Sequence, residues 1–268
     1  MAHSNKKTEK IILTGLMTAM VAAATIAIVI PLPFTNGYIH LGDCMVFLSI
    51  LILGWKYGAA AAGTGSAMAD LALGFAHWAP WTLLIKGGMA LVAGLILTKT
   101  AGNKRRLVIA CAGIIAAWLL FNLAVRGIVR YEAAHNAAAL ISAAEVAENS
   151  SLMEFLAVIQ TQLMTAALLI PLFLIALSVF IKKTKMNLIS AEQVVAMAGG
   201  GLWMVFGYYI AGGLIYGNFA VSAFSVPANI LQFVAGFALA SLAASALYKT
   251  PAKKFFAGSL SVPREDNK

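Results

Sequence analysis

Charge is what this sequence has least of, and acidic charge is the scarcer kind. Only 11% of its 268 residues are charged, 10 of them Asp or Glu against 19 Lys or Arg. Soluble domains carry about 25% charged residues, so an ordinary soluble domain is excluded. Cysteine is nearly absent: Cys44 and Cys111 lie far apart in apolar surroundings, and neither a disulfide framework nor a metal spacing follows from them. The four histidines, His3, His40, His77 and His135, show no ligand spacing. There is no HExxH, no nucleophile–base pairing and no pair of intramembrane aspartates, so the chain is expected not to be an enzyme and to need no cofactor or metal. A Walker A sequence is also missing, which excludes ATP hydrolysis by that route. The first apolar run is too long for a signal-peptide core and lacks a clear cleavage site, so it reads as a retained span.

What is present is hydrocarbon. Apolar residues make up 61% of the chain, and the mean hydropathy is +0.88. The apolar stretches are continuous and long rather than alternating, which predicts an all-α integral membrane protein and not a barrel. Eight spans are expected, at about residues 11–32, 43–53, 59–75, 80–97, 107–126, 155–181, 194–216 and 226–248. Residues 127–152 read as a polar, alanine-rich connection outside the bilayer. With both termini cytoplasmic, all 19 Lys and Arg except Lys86, Arg126 and Arg130 fall on the cytoplasmic side. The inverted arrangement would oppose the positive-inside rule. The +9 net charge is therefore read as a cytoplasmic excess, with no nucleic-acid partner implied.

The chain is organised around residues 31–43. Pro31 and Pro33 end the preceding helix, and Asn36-Gly37 is a turn signal. Tyr38 and His40 offer polar tips on flat rings, and Asp43 suits a first helical turn. This loop reads either as a lid over a site or as a tight interfacial turn with its rings at headgroup level. In the expected topology, the spans that begin near residues 43, 80 and 226 all start on the outer face. Their free N–H groups suit electronegative ligand atoms. Trp78, Thr82 and Lys86 recur at i, i+4 and i+8, and Asn229 and Gln232 share a face. Tyr208 and Tyr209 sit in the outer half of their span, as a ligand contact or as part of an aromatic belt. Asp70 and Lys86 are read as a structural ion pair between neighbouring spans, with Lys86 alternatively reaching a ligand. Asn229 and Gln232 are ligand groups or interhelical glue. Gly15, Ala19, Ala23 and Ala27 form a flat seam where a partner helix can approach.

Four blocks, Pro33–Asp43, Leu53–Gly58, Gly65–Asp70 and Ala79–Gly87, resemble the substrate-binding S component of energy-coupling-factor (ECF) vitamin transporters. Gly207-Tyr-Tyr and Pro227–Gln232 fit the same pattern, and the branch it is similar to is the riboflavin type. The resemblance implies a six-helix core with an outward vitamin pocket under the first loop. It implies a T component docked on the helix-one seam at Ala19 and Ala23, and two cytoplasmic ATPases. The substrate class is then riboflavin, pyridoxine or hydroxymethylpyrimidine, and the location is the bacterial plasma membrane. Asn36, Tyr38, His40, Trp78, Thr82, Lys86, Tyr208, Asn229 and Gln232 are the candidate substrate contacts. Residues 1–100 and 191–250 would form the core, 101–190 an inserted pair of spans with an external linker, and 251–268 a cytoplasmic tail. The alternative functions are a self-contained channel or facilitator for a small polar solute, and a membrane scaffold without ligand.

Overall fold

A computed structural model describes residues 2–32, 37–143, 149–184, 190–247 and 249–256. Residues 144–148 of the expected connection, and residues 257–268 of the tail, lie outside the described residues.

The first helix, α1 (Ala2–Ala27), ends earlier than the expected residue 32. Val29–Leu32 (β1) instead pairs antiparallel with Gly37–His40 (β2), Pro31 facing Tyr38 in the register. Proline lacks the N–H that a helix needs but tolerates an edge position in a two-stranded ribbon. The organising loop is thus a hairpin rather than a turn.

Helix α2 (Asp43–Leu53) and α3 (Trp55–Ala72) are joined at Gly54, whose φ of 76° is a left-handed value that glycine adopts without penalty. Next come α4 (Ala79–Thr100), with Pro80 in its first turn, and α5 (Lys104–His135). Then follow α6 (Ala137–Ala143), α7 (Asn149–Thr184) and α8 (Ala191–Tyr216), which opens on a Ser190/Gln193 capping box. A short α9 (Phe219–Ser222) and a 3₁₀ turn lead into α10 (Val226–Leu247).

Among the described residues, six helical stretches are long and apolar enough to cross a membrane: Lys7–Ala27, Ala79–Thr100, Lys104–His135, Leu152–Leu172, Ala191–Tyr216 and Phe219–Leu247. The other two expected spans fall short for different reasons. Helix α2 has 11 residues, roughly 16 Å, about half the hydrocarbon thickness. Helix α3 has 18 residues diluted by Gly, Ser, Thr and Asp. Residues 127–135, expected in a connection, continue α5.

The helices pack as a layered core. α3 lies between α1 and α4, α4 lies against α8, and α10 packs on α2 and α8. Gly63 and Gly65 make the α3 contacts possible: a Cβ there would stand 2.7 Å from Leu83 O and 2.6 Å from Thr18 O. Helices α5 and α7 pair with each other and lean on α8 from outside. The Trp118 indole donates to Ala166 O at 3.2 Å, and Arg126 Nε donates to Gln160 Oε1 at 2.9 Å.

Candidate ligand-binding site

The ends of α3, α4, α8 and α10 on the hairpin side converge beneath β2 around a narrow cavity of about 40 Å³. Tyr38 and His40 come from the hairpin, Asp70 from α3, and Trp78 and Thr82 from the start of α4. Tyr208, Gly212 and Tyr216 come from the last turns of α8, and Ser225, Asn229 and Gln232 from the start of α10.

Aromatic rings make the walls. Trp78 meets Tyr208 and Tyr216 edge-on, with centroids 5.8 and 6.2 Å apart. On the hairpin side Tyr38 packs at 4.8 Å on Phe75. Polar tips then face the interior. The Tyr208 hydroxyl donates to Thr82 Oγ1 at 3.2 Å, and Asn229 Nδ2 makes a long 3.4 Å contact to Ser225 Oγ.

The floor is a buried charge cluster. Lys86, wholly inaccessible, pairs with Asp43. Gln232 Nε2 donates to the other Asp43 oxygen at 3.1 Å, and Lys86 also reaches Met204 Sδ at 3.0 Å. Lys86 lies 5.3 Å from the Tyr208 ring centroid, a cation–π contact. The close approach of α10 to the start of α2 depends on Gly236, where a Cβ would stand 2.6 Å from Asp43 Cβ. The expected Asp70–Lys86 pair is therefore corrected. Asp43 is nearer, because α2 starts directly above Lys86 once α10 brings Gln232 alongside. Asp70 instead accepts the Tyr38 hydroxyl at 2.6 Å.

The hairpin is tied down at two points, by the Tyr38–Asp70 bond and by His40 N, which donates to Gln232 Oε1 at 2.9 Å, and its exit is braced locally where Gly42 N donates to His40 Nδ1 at 2.9 Å. A ring nitrogen that accepts carries no proton. Burial, with the Lys86 charge nearby, lowers the His40 pKa to about 3 and keeps the ring neutral. Burial and the Asp70 carboxylate push the Tyr38 phenol far above its usual range, so it remains a donor.

Seven of the nine candidate substrate contacts, Tyr38, His40, Trp78, Thr82, Tyr208, Asn229 and Gln232, line this one cavity. Lys86 lies below it, and Asn36 lies outside the described residues. Tyr209 turns away to pack edge-on against Phe121. Tyr216, Ser225 and Asp70 are wall residues that the sequence reading did not assign to the cavity. The periodicity held the signal: Tyr208, Gly212 and Tyr216 recur every fourth residue, and Ser225, Asn229 and Gln232 at i, i+4 and i+7. Among the described residues no His, Cys, Asp and Glu grouping could hold a metal ion.

A family model described as "ECF-type riboflavin transporter, S component" matches residues 5–169. The chain belongs to that family. The match runs through α1 to α4, the hairpin and α5 into α7. The cavity walls supplied by α8 and α10 lie beyond it. A protein from Pyrococcus woesei, described as "Uncharacterized protein in gap 3'region", is 39% identical over 74 residues, which is 28% of this chain and 49% of that protein. The chain thus spans about half the length of this relative. No solved structure matches the chain. Family membership and six apolar helices make it a multi-pass membrane protein of the vitamin-transport S component type.

Proposed function

We propose that this chain is the high-affinity substrate-binding subunit of an ECF-type importer for a water-soluble vitamin or precursor. The class is riboflavin, pyridoxine or hydroxymethylpyrimidine. It hands its ligand to a T component driven by two cytoplasmic ATPases. The observation that carries this reading is the cavity itself, walled by aromatic rings with a few polar tips and covered by a tied hairpin. That lining suits a flat heterocycle, for which the cavity of about 40 Å³ has to widen. Asn229 and Gln232 each offer both a donor and an acceptor to it.

A self-contained channel is the weaker reading. The floor of Asp43, Lys86, Gln232 and Met204 is buried and bonded, which favours retention over conduction. In the proposed topology both termini are cytoplasmic in a bacterial plasma membrane, and the cavity faces outward. Eight membrane passages then arise from α2 and α3 acting as a protein-shielded pair, with α5 and α7 as two spans added to a six-helix core.

The seam on α1 suits the T component. Gly15, Ala19, Ala23 and Ala27 are all exposed, whereas Met17, Val21 and Thr25 turn inward. Nothing lies within 4 Å of a Cβ placed at Gly15. Bulky side chains on that face hold a partner helix away. Ala19→Trp combined with Ala23→Trp is expected to abolish transport and complex assembly while leaving ligand affinity nearly unchanged.

Mass spectrometry of small molecules released from the purified, denatured protein tests the main reading. A heterocyclic vitamin released in stoichiometric amount is expected. A protein that releases none, and binds none when offered, is not a substrate-binding subunit.

A further inference from the structure

Asp43 and Asp70 are the two acidic side chains buried among the described residues. Their oxygens are used differently. Asp43 gives one oxygen to Lys86 and the other to Gln232. Asp70 is 3% exposed. Its Oδ1 accepts from Tyr38, the Thr82 hydroxyl also acts on the carboxylate, and its Oδ2 is buried without a hydrogen bond of ordinary geometry among the described residues. A buried carboxylate oxygen without a donor is costly. Asp70 is on the wall of the cavity and its Oδ2 is closed off from water, so a ligand that brings an N–H or O–H to it supplies the donor it lacks.

The charge around the cavity narrows the ligand further. Among the described residues, no Lys or Arg lines it. Lys86 is below the wall and compensated by Asp43, and His40 is neutral because Nδ1 accepts from Gly42. The wall therefore presents one carboxylate and no counter-cation, which disfavours a ligand carboxylate or phosphate. The flat rings of Trp78, Tyr208 and Tyr216 supply the apolar contact.

We propose that Asp70 does two jobs with one carboxylate: Oδ1 holds the hairpin through Tyr38, and Oδ2 accepts a hydrogen bond from the ligand. The site then takes a flat heterocycle, neutral or cationic, that presents a donor to α3. This rests on the reading of the cavity as a vitamin site. It adds that closing the hairpin and recognising the donor share a single side chain.

The test is calorimetry on the purified full chain with riboflavin, pyridoxine and hydroxymethylpyrimidine, and with the phosphate ester of whichever binds. Asp70→Asn keeps an acceptor for Tyr38 but turns an amide N–H toward the ligand donor. Its affinity is expected to fall about 10- to 150-fold, the range for losing a hydrogen bond to a charged group. The ligand-free protein should melt within a few degrees of wild type. Tyr38→Phe leaves Oδ2 untouched, so it should lose less than about tenfold, mainly through faster release. The ester should bind more weakly than its parent. Wild-type affinity in a folded Asp70→Asn overturns the role of Asp70 and leaves the vitamin site standing. If Asp70→Asn does not fold, an ester that binds as tightly as its parent on the wild-type chain overturns it instead. A wild-type chain that binds none of the three vitamins removes the vitamin reading and this inference together.

Discussion

Helices α4 and α8 bury 44% and 67% of their most apolar windows inside the protein, whereas α5 and α7 bury 17% each. The two outer helices are also the more apolar, α5 most of all, as exposure to lipid requires. The residue type at the contacts differs as well. Along α8, Gly199, Gly200 and Gly201 let neighbours come so close that a Cβ would stand 2.2 Å from Ile96, 2.8 Å from Met89 O and 2.1 Å from Phe233. On α5 a Cβ at Gly113 or Gly127 would meet nothing within 4 Å. Helix contacts in lipid depend on close packing rather than on a hydrophobic drive. The glycine-lined helices thus form the rigid frame of the cavity. The α5–α7 pair buries Trp118, Val125, Val129, Leu156, Ile159 and Leu163 and adds a few polar bonds, notably Trp118 to Ala166 and Arg126 to Gln160. Among the described residues, none from either helix lines the cavity.

The sharpest way to break this contrast is to unbalance the floor. Lys86→Met leaves Asp43 buried without its partner, and removing one member of a buried pair costs about 3–5 kcal/mol. Thermal unfolding in detergent should show the loss, and Asp43→Asn added to Lys86→Met should recover part of it. Little change in melting would mean that the pair does not stabilise the frame.

Acid is next in size. His40 has its folded pKa near 3, below the ordinary value of 6.5. A histidine kept neutral by folding contributes stability that is present above pH 6.5 and is lost as pH falls from 6.5 toward 3. At pH 5 the loss is on the order of 2 kcal/mol. It should appear as a lower melting temperature and as faster ligand release, because protonated Nδ1 can no longer accept from Gly42. A His40→Gln variant that keeps the same pH dependence would assign the effect elsewhere.

Asn229→Ala should lose at least about tenfold in ligand affinity, about 1.4 kcal/mol, while the ligand-free protein melts nearly as before. Calorimetry paired with a melting curve separates this from a packing role, in which affinity would fall only in step with stability.

The smallest effect is expected from the largest change. Ile96 near the end of α4 lies against Gly199 near the start of α8, so a short linker can replace residues 104–188. That shortened chain should bind ligand within about threefold of wild type, a difference of roughly 0.7 kcal/mol. It should lose solubility in detergent first, because the apolar face of Leu202, Val205 and Phe233, now against α5 and α7, becomes lipid-facing. A chain that loses binding altogether would make the pair part of the frame.

The membrane class, the helical architecture, the family resemblance and most of the cavity wall were legible in the sequence, because each rests on spacing along one helix. Continuous apolar runs need no tertiary information to exclude water. Trp78 and Thr82, or Asn229 and Gln232, share a face whatever packs against it. The small-residue seam on α1 and the first-turn positions of Pro80 and Pro227 belong to the same kind of reading. The choice of Asp43 over Asp70 as the partner of Lys86 did not. Both acids stand near the hairpin-side ends of their helices, and only the approach of α10 across Gly236 sets α2 over Lys86. The hairpin was hidden for a related reason: β1 is made by residues that continue an apolar run, and a strand pair of four residues a side is marginal until His40, Tyr38 and the core hold it. The sequence by itself determined which faces are apolar, small or polar, since those follow from residue order and helical period. Only the tertiary structure decided which charges meet, because ion pairing depends on distances between helices far apart in the chain.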